Sequence, residues 1–303
     1  MIPILITFLI LFVIFSQYLS KILFELKEKL KAILKLTRPV NATITFISVI
    51  IAAFICSAGE ISWNPVLLAS FSAAFTLAAG NIINDIFDIE IDKVNRPDRQ
   101  IPSGKITYKE AFVLYFIILL LSLILSWFIN LAAFIIVVAT TLLLFLYSKY
   151  LKRIPLAGNV VVAFLTGLVF IYGGVAIGNP VAAVIPALFA FLINLIREVV
   201  KDMQDVEGDK KSGVNTFPIK FGFRKSKILI FLLTISLILF TLYPFIIKLY
   251  KIEYFIIVMV VVNPLLVYCL KILFADHSEE TLIKISNLLK LNMIFGLIAI
   301  VLG

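Results

Sequence analysis

The amino-acid sequence predicts an all-α fold, a polytopic membrane bundle of about nine transmembrane helices around a central cavity. The first observation is composition: 62% of the 303 residues are hydrophobic, 15% are charged, and the mean hydropathy is +1.12. Soluble domains carry about 25% charged residues, so a chain this apolar belongs in lipid. The second observation is a series of long apolar runs, and the third is an acidic stripe at the end of two of them.

Long apolar runs recur along the chain after residue 36. A spanning helix needs about 20 consecutive apolar residues. Nine runs are of suitable length: 37–58, 65–86, 108–128, 129–148, 157–178, 181–200, 228–248, 252–274 and 282–302. We predict that all nine are helical and that they form one transmembrane domain over residues 36–303.

The first 35 residues form a separate predicted segment. Residues 2–18 are apolar but of marginal length, and they lack the basic start and the small-residue cleavage site of a signal peptide. We therefore predict a membrane anchor or an extra span here. The stretch KILFELKEKLKAILKL that follows is amphipathic, which predicts a helix lying in the membrane interface.

Lysine and arginine residues are distributed unequally between the two ends of the predicted bundle. Basic residues cluster before the first span, at Lys21, Lys27, Lys29, Lys31, Lys35 and Arg38. If that stretch is cytoplasmic, only Lys248 and Lys251 of the 27 basic residues lie outside. The sequence thus predicts a cell-membrane protein whose acidic stripes face the cytoplasm. This bias accounts for the net charge of +9, so no nucleic-acid partner is predicted. No protein partner is predicted either.

Cysteine and histidine residues are too few and too scattered for several common kinds of site. Cys56 and Cys269 lie inside apolar runs without a nearby partner, which indicates core-filling residues. His277 is the only histidine and lies in a polar predicted turn. We therefore expect neither a histidine-based metal site nor a Ser-His-Asp triad.

The first acidic stripe lies at the end of the 65–86 run. Its members fall at i, i+3, i+4, i+7 and i+11, along one face of a helix: Asn81, Asn84, Asp85, Asp88 and Asp92. Carboxylates on successive turns repel in a low dielectric unless a cation lies between them. Oxygen ligands such as these suit Mg²⁺, which keeps several waters and is completed by substrate phosphates. The stripe therefore predicts a magnesium site.

A second acidic stripe lies at the end of the 181–200 run. Asp202, Asp205 and Asp209 fall at i, i+3 and i+7, with Arg197 and Lys201 on the preceding turn. Such patterns occur by chance in solvated loops, but two matched stripes on one membrane side indicate a duplicated half and a site between the halves. Basic residues near the stripes suit a diphosphate substrate: Arg96, Arg99, Lys105, Lys152 and Lys201.

Together the stripes resemble the signature motifs of a known family. The pattern ND-x-x-D-x-x-x-D at residues 84–92, the NRPDRQIPSG behind it, and D-x-x-D-x-x-x-D at 202–209 resemble the UbiA superfamily of intramembrane prenyltransferases. The resemblance covers residue 36 to the end. LTRPVNATI, YSKYLKRIPLAGNVVVAF and REVVKDMQDVEGDKKSGVNTFPIKFG are similar to the archaeal ether-lipid branch. The resemblance implies a geranylgeranyl diphosphate donor, a geranylgeranylglyceryl phosphate acceptor and an ether bond.

An allylic diphosphate ionises when the charge of its leaving group is neutralised. The expected ligands of the neutralising Mg²⁺ are Asn84, Asp85, Asp88, Asp92, Asp202, Asp205 and Asp209. We expect Arg96, Arg99 and Lys201 to add fixed positive charge. The expected catalytic set is Asp88, Asp92, Asp205, Asp209 and Lys201.

The remaining expected residues bind the substrates. The resemblance implies that Arg38 and Asn41, at the start of the first span, bind the acceptor phosphate. It also implies that Tyr147 and Lys152 are shared between donor and acceptor. The predicted substrate-binding set is completed by Asn81, Arg96, Arg99, Lys105 and Arg197.

Two other functions remain open. The same donor site could serve an aromatic, quinone or porphyrin acceptor, since nothing in the residues alone fixes the acceptor. A polytopic transporter also places acids around a central cavity. Transporter acids usually lie near mid-membrane, whereas these lie at span ends beside basic residues, which favours an enzyme for phosphate substrates.

Overall fold

The described part of the chain folds into helices joined by turns and loops. The computed structural model describes residues 2–57, 59–211 and 213–303, with side chains for residues 15–57, 59–94, 96–211 and 213–303. The helices are α1 Ile2–Thr37, α2 Pro39–Cys56, α3 Trp63–Phe87, α4 Ile89–Asn95, α5 Tyr108–Trp127, α6 Leu131–Lys149, α7 Ala157–Ala176, α8 Val184–Gln204, α9 Val206–Lys211, α10 Phe217–Ile246, α11 Ile252–Ile257, α12 Asn263–Ala275 and α13 Glu279–Leu302. A 3₁₀ turn at Leu151–Arg153 precedes α7, and a π-helical segment at Val258–Val262 joins α11 to α12.

Eight helices of the described residues are long and apolar enough to cross a membrane, with Ile252–Ala275 taken as one helix. They correspond to eight of the nine predicted spans. The predicted span at 181–200 is α8, whose last two turns carry the charged residues Arg197, Glu198, Lys201 and Asp202. Helix α8 nevertheless packs between α7, α10 and α13 inside the bundle. The prediction of an all-α, multi-pass membrane protein is confirmed.

The N-terminal segment forms the single helix α1, which runs without a break from the predicted anchor into the predicted interfacial stretch. Its C-terminal turns are docked, because Leu36 is buried against α3 and α5 and Lys29 Nζ lies 2.5 Å from Glu110 Oε2. Apolar side chains further upstream, such as Phe15 and Leu23, are exposed. Whether residues 2–18 span the membrane stays a prediction, since side chains before residue 15 lie outside the described residues.

Helix α7 packs closely against both α2 and α8. A Cβ added to Gly173 of α7 would lie 2.6 Å from Ala52 Cβ of α2, and one added to Gly167 would lie 2.6 Å from Ala187 O of α8. Glycine allows such close approach between membrane helices. Gly173 and Ala52 lie in the C-terminal turns of their helices, and these two turns are in contact, so α2 and α7 run parallel. Both therefore begin at the same end of the bundle.

Candidate active site

Each acidic motif crosses a junction between a long helix and a short one. Asp88 links α3 to α4 with φ −96° and ψ 3°, and Asp205 links α8 to α9 with φ −93° and ψ 7°. The Asp88 N–H still donates to Asn84 O (3.0 Å), and the Asp205 N–H donates to Lys201 O (2.9 Å). The backbone therefore stays nearly helical, and the predicted stripes continue past both junctions.

Two arginines neutralise the buried acids of the first motif. Arg38 Nη2 lies 2.6 Å from Asp85 Oδ1, and Arg99 Nη1 lies 3.1 Å from the same oxygen. Arg99 Nη1 also lies 2.6 Å from Asp92 Oδ2. Buried carboxylates are stable only with partners of this kind. The guanidinium groups are thereby held beside the motif, where they can meet an anionic ligand.

Lys152 neutralises Asp88, the remaining aspartate of the first motif. Its Nζ lies 2.5 Å from Asp88 Oδ1 and donates to Asn84 Oδ1 at 3.1 Å, while Asn84 Nδ2 donates to Asp88 Oδ2 at 3.0 Å. Burial lowers the pKa of Lys152, and the Asp88 carboxylate opposes that change. Lys152 comes from the turn before α7, so this triangle ties the end of α3 to the start of the second half.

The second motif is surrounded by fewer cations. Asp202 Oδ2 accepts a hydrogen bond from Asn159 Nδ2 at 2.9 Å. The ion pairs of Arg197 (3.0 Å) and Lys201 (3.4 Å) go to Glu198 Oε1 instead. Within the described residues, no ion pair involves an aspartate of this motif.

The pKa of Asp209 reflects this shortage of cations around the second motif. Burial raises the pKa of Asp209 to about 6, and the neighbouring charge of Asp205 adds to the rise. Arg96 and Lys201 oppose it without contacting the carboxylate. The second motif therefore presents negative charge that nearby side chains only partly compensate.

The two motifs face one another at one end of the bundle. Arg96, which follows the first motif, is close enough for its charge to act on Asp209 of the second. Lys152, which pairs with Asp88 of the first motif, packs against Gly158, and the next residue, Asn159, donates to Asp202 of the second motif at 2.9 Å. The structure therefore brings carboxylates of both motifs to the same end of the bundle.

Not every predicted residue joins this group. Lys105 is exposed, its backbone carbonyl accepts from Lys29 Nζ at 3.2 Å, and its charge acts on Glu28 of α1. Asn81 Nδ2 donates to Thr37 O at 3.3 Å and so anchors the end of α1. Asn41 is exposed at the start of α2, three residues after Arg38.

The donor set fits Mg²⁺ with substrate present. No group of three or more His, Cys, Asp or Glu side chains lies close enough to hold a metal among the residues that the structure describes. The carboxylates of the first motif do not form such a group because basic side chains lie between them. Mg²⁺ usually takes only one or two protein carboxylates and completes its shell with water and phosphate oxygens. Carboxylate and amide oxygens of both motifs can supply that number.

Sequence reasoning missed two polar residues at the site, Glu198 and Asn159. Glu198 could have been found from register, because Asn81, Asp85, Asp88 and Asp92 each precede a counterpart by 117 residues: Glu198, Asp202, Asp205 and Asp209. Glu198 thus occupies the first place of the second stripe. Asn159 carried no such signal, since a single asparagine near a helix start usually serves as a cap.

The fold and the site together define a membrane-embedded enzyme that acts on anionic substrates. The family model described as the UbiA prenyltransferase family matches residues 45–294. The chain therefore belongs to the UbiA prenyltransferase family, and its reaction class is prenyl transfer. The predictions of this family and of this reaction class are confirmed.

Individual relatives are similar over nearly their whole length. A digeranylgeranylglyceryl phosphate synthase of Methanocaldococcus jannaschii is 42% identical over 91% of this chain and 97% of the relative. A solved structure of a digeranylgeranylglyceryl phosphate synthase is also 42% identical, with a TM-score of 0.81 over 91% of this chain and 98% of that one. A UbiA homolog from Archaeoglobus fulgidus, bound to GPP and Mg²⁺, shares the fold at 21% identity, with a TM-score of 0.63 over 89% and 99% of the two chains.

Proposed function

We propose that this protein transfers a geranylgeranyl group from geranylgeranyl diphosphate to the hydroxyl of geranylgeranylglyceryl phosphate, with Mg²⁺ as cofactor and a site open to the cytoplasm. The name of the 42% identical relatives supports this donor and acceptor. The observation that carries the proposal is that the turn before α7 and the start of α7 contact both acidic motifs, because Lys152 Nζ lies 2.5 Å from Asp88 Oδ1 and Asn159 Nδ2 donates to Asp202 Oδ2 at 2.9 Å. Arg38, Arg99 and Lys152 line the same place.

The cofactor assignment rests on the donor set and on one neighbour. The distant homolog binds GPP together with Mg²⁺, which supports the same ion here. Asn84, Asp88 and Asp92 would hold it in the first motif, and Asp202, Asp205 and Asp209 in the second. When bound, Mg²⁺ supplies the positive charge that stabilises the departing diphosphate.

The basic side chains of the site are prepared for an anionic ligand. Ion pairs with Asp85, Asp88 and Asp92 fix the positions of Arg38, Arg99 and Lys152 before a substrate arrives. Phosphate oxygens of the donor or of the acceptor can accept hydrogen bonds from these cations, and arginine matches phosphate in a bidentate geometry. Preorganised positive charge of this kind lowers the cost of separating the allylic carbon from its leaving group.

The bond changes are an allylic substitution. The C1–O bond to diphosphate breaks with its electron pair on oxygen, and the acceptor hydroxyl oxygen forms the new C–O ether bond. The hydroxyl proton is then lost, and the carboxylates of the site offer acceptors for it. An allylic cation reacts readily with a weak nucleophile, so no strongly basic residue is required.

Arg38 and Asn41 are the proposed anchors of the acceptor phosphate. The Arg38 side chain is 33% exposed, so a ligand can approach it from outside the bundle. Its backbone adopts φ 53°, a left-handed conformation that is costly for a residue with a side chain and is enriched at functional sites. Asn41 lies exposed one turn later, where its free amide can share the same phosphate.

The decisive experiment incubates the purified protein with Mg²⁺, labelled geranylgeranyl diphosphate and a panel of acceptors. Geranylgeranylglyceryl phosphate should become the labelled ether product, and diphosphate should be released in equal amount. Hydroxybenzoate and naphthoquinone precursors in the same panel test the aromatic-acceptor alternative. Labelled product only with an aromatic acceptor would overturn the proposed function while leaving the donor site intact.

A further inference from the structure

The hydrogen bond between Asn159 and Asp202 distinguishes the second acidic motif from the first. Asn159 Nδ2 donates to Asp202 Oδ2 at 2.9 Å, and Asn159 is 8% exposed. No other hydrogen bond or ion pair of the described residues reaches the Asp202 carboxylate. One oxygen of Asp202 is therefore fixed by a neutral donor, and the other remains available to a ligand.

The start of α7 places Asn159 inside the site. Asn159 is the third residue of α7, directly after Gly158. A Cβ on Gly158 would lie 3.1 Å from Lys152 Cα and 3.5 Å from Tyr147 Cε2, so the chain is in close contact with both residues here. The amide of Asn159 is thus held between the Lys152 turn and the end of α8, and it comes from a different helix than its acceptor.

A neutral donor has a different effect from a basic one. Arginines fix Asp85, the counterpart of Asp202, and cancel its charge. An amide fixes the orientation of a carboxylate and leaves its charge available to a cation. We propose that Asn159 is a positioning residue that orients Asp202 toward the Mg²⁺–diphosphate group, an inference that rests on the proposed function.

The matched control is a second amide that joins the same two helices. Asn194 Nδ2 of α8 donates to Thr166 Oγ1 of α7 at 3.0 Å, and Asn194 is 6% exposed. Asn159→Ala and Asn194→Ala each remove one buried α7–α8 hydrogen bond. A purely structural role for Asn159 predicts that the two variants behave alike.

The test measures the melting temperature of the full-length protein in detergent, with and without Mg²⁺ plus inorganic diphosphate. Both variants should lower the melting temperature of the ligand-free protein. Only Asn159→Ala should lose most of the ligand-induced rise. In turnover assays its half-activating Mg²⁺ concentration should increase about 10-fold, as for the loss of a hydrogen bond to a charged group, with the KM for the acceptor unchanged. An equal loss of the ligand-induced rise in Asn194→Ala would overturn the proposal.

A double-mutant cycle completes the test, because coupled residues deviate from additivity. In an Asp202→Ala background, Asn159→Ala should cause no further loss of the ligand-induced rise. A full additional loss in that background would show that Asn159 acts without Asp202, which overturns the inference. The thermal measurement needs no turnover, so a parent protein that binds Mg²⁺–diphosphate but makes no ether product would refute the proposed function alone.

Discussion

The acidic motif around Asp88 and the one around Asp205 have the same backbone and different neighbours. Their aspartates are spaced identically, 117 residues apart in the chain, and each motif has one aspartate at a helix junction with nearly the same φ and ψ. The first motif carries three basic partners, Arg38, Arg99 and Lys152. The second has only an amide on its first aspartate. The two motifs therefore share a helical register but differ in charge balance.

The starts of α2 and α7 repeat this contrast. Arg38 and Leu156 precede these helices with φ 53° and 68°, and an asparagine follows each three residues later. Asn159 reaches the aspartate of its own half, whereas Asn41 is exposed and Arg38 contacts Asp85. At the start of α2 the contact with the motif is the ion pair of Arg38 with Asp85, whereas at the start of α7 it is the amide hydrogen bond of Asn159 to Asp202. The comparison teaches that fixed positive charge surrounds the first motif and that the second motif lacks such partners, which fits the bound cation proposed for it.

Removal of divalent metal should have the largest effect. An excess of chelator should reduce turnover at least about 1,000-fold, because a Lewis acid contributes several kcal/mol to such a reaction. Added Mg²⁺ should restore it. The measurement is release of labelled diphosphate by the purified protein, and full activity in excess chelator would eliminate the proposed mechanism.

Single aspartate substitutions separate the two motifs. Asp88→Ala and Asp205→Ala should each reduce kcat about 100- to 1,000-fold, the range for loss of one preorganised electrostatic group. Asp205→Ala should also raise the half-activating Mg²⁺ concentration more than Asp88→Ala. Loss of Asp88 frees the Lys152 ammonium group, whose positive charge can then partly replace that of the metal at the diphosphate. Magnesium titrations of both variants test this difference, with melting temperatures as a control for folding. Identical magnesium dependence would contradict the comparison between the halves.

Arg38→Ala should act on one substrate. Loss of a charge-assisted contact of about 1.5–3 kcal/mol should weaken acceptor affinity about 10- to 100-fold and leave the donor largely unaffected. Apparent affinities for each substrate are measured separately in the variant and the parent. Equal weakening of both would assign Arg38 to the diphosphate, and no change would reduce it to the partner of Asp85.

Lys105→Ala should have the smallest effect among the predicted cations. It lies beside α1, away from the acidic motifs, so its loss should change KM for either substrate no more than about twofold. Arg99→Ala is the matched comparison, because Arg99 contacts two acids of the first motif and should cost about 10-fold. A larger effect of Lys105→Ala than of Arg99→Ala would reverse the assignment of cations to the site.

Local sequence was sufficient for the framework of the protein. Apolar run length sets where helices cross a membrane, and helical periodicity sets which side chains share a face, so eight of the nine spans and both stripes followed from neighbours in the chain. The prediction of one site from two halves also depended only on spacing and on shared membrane side. Family and reaction class followed from the same motifs.

Partner choice was decided by the tertiary structure. Asp85 pairs with Arg38 47 residues away, and Asp88 pairs with Lys152 64 residues away. Lys105, only 13 residues from Asp92, lies elsewhere. Which cation reaches which carboxylate depends on where the helix ends lie in space and on close contacts such as that at Gly158, and local spacing does not encode either. For the same reason Asn159 became recognisable as a site residue only when α7 and α8 were seen packed together.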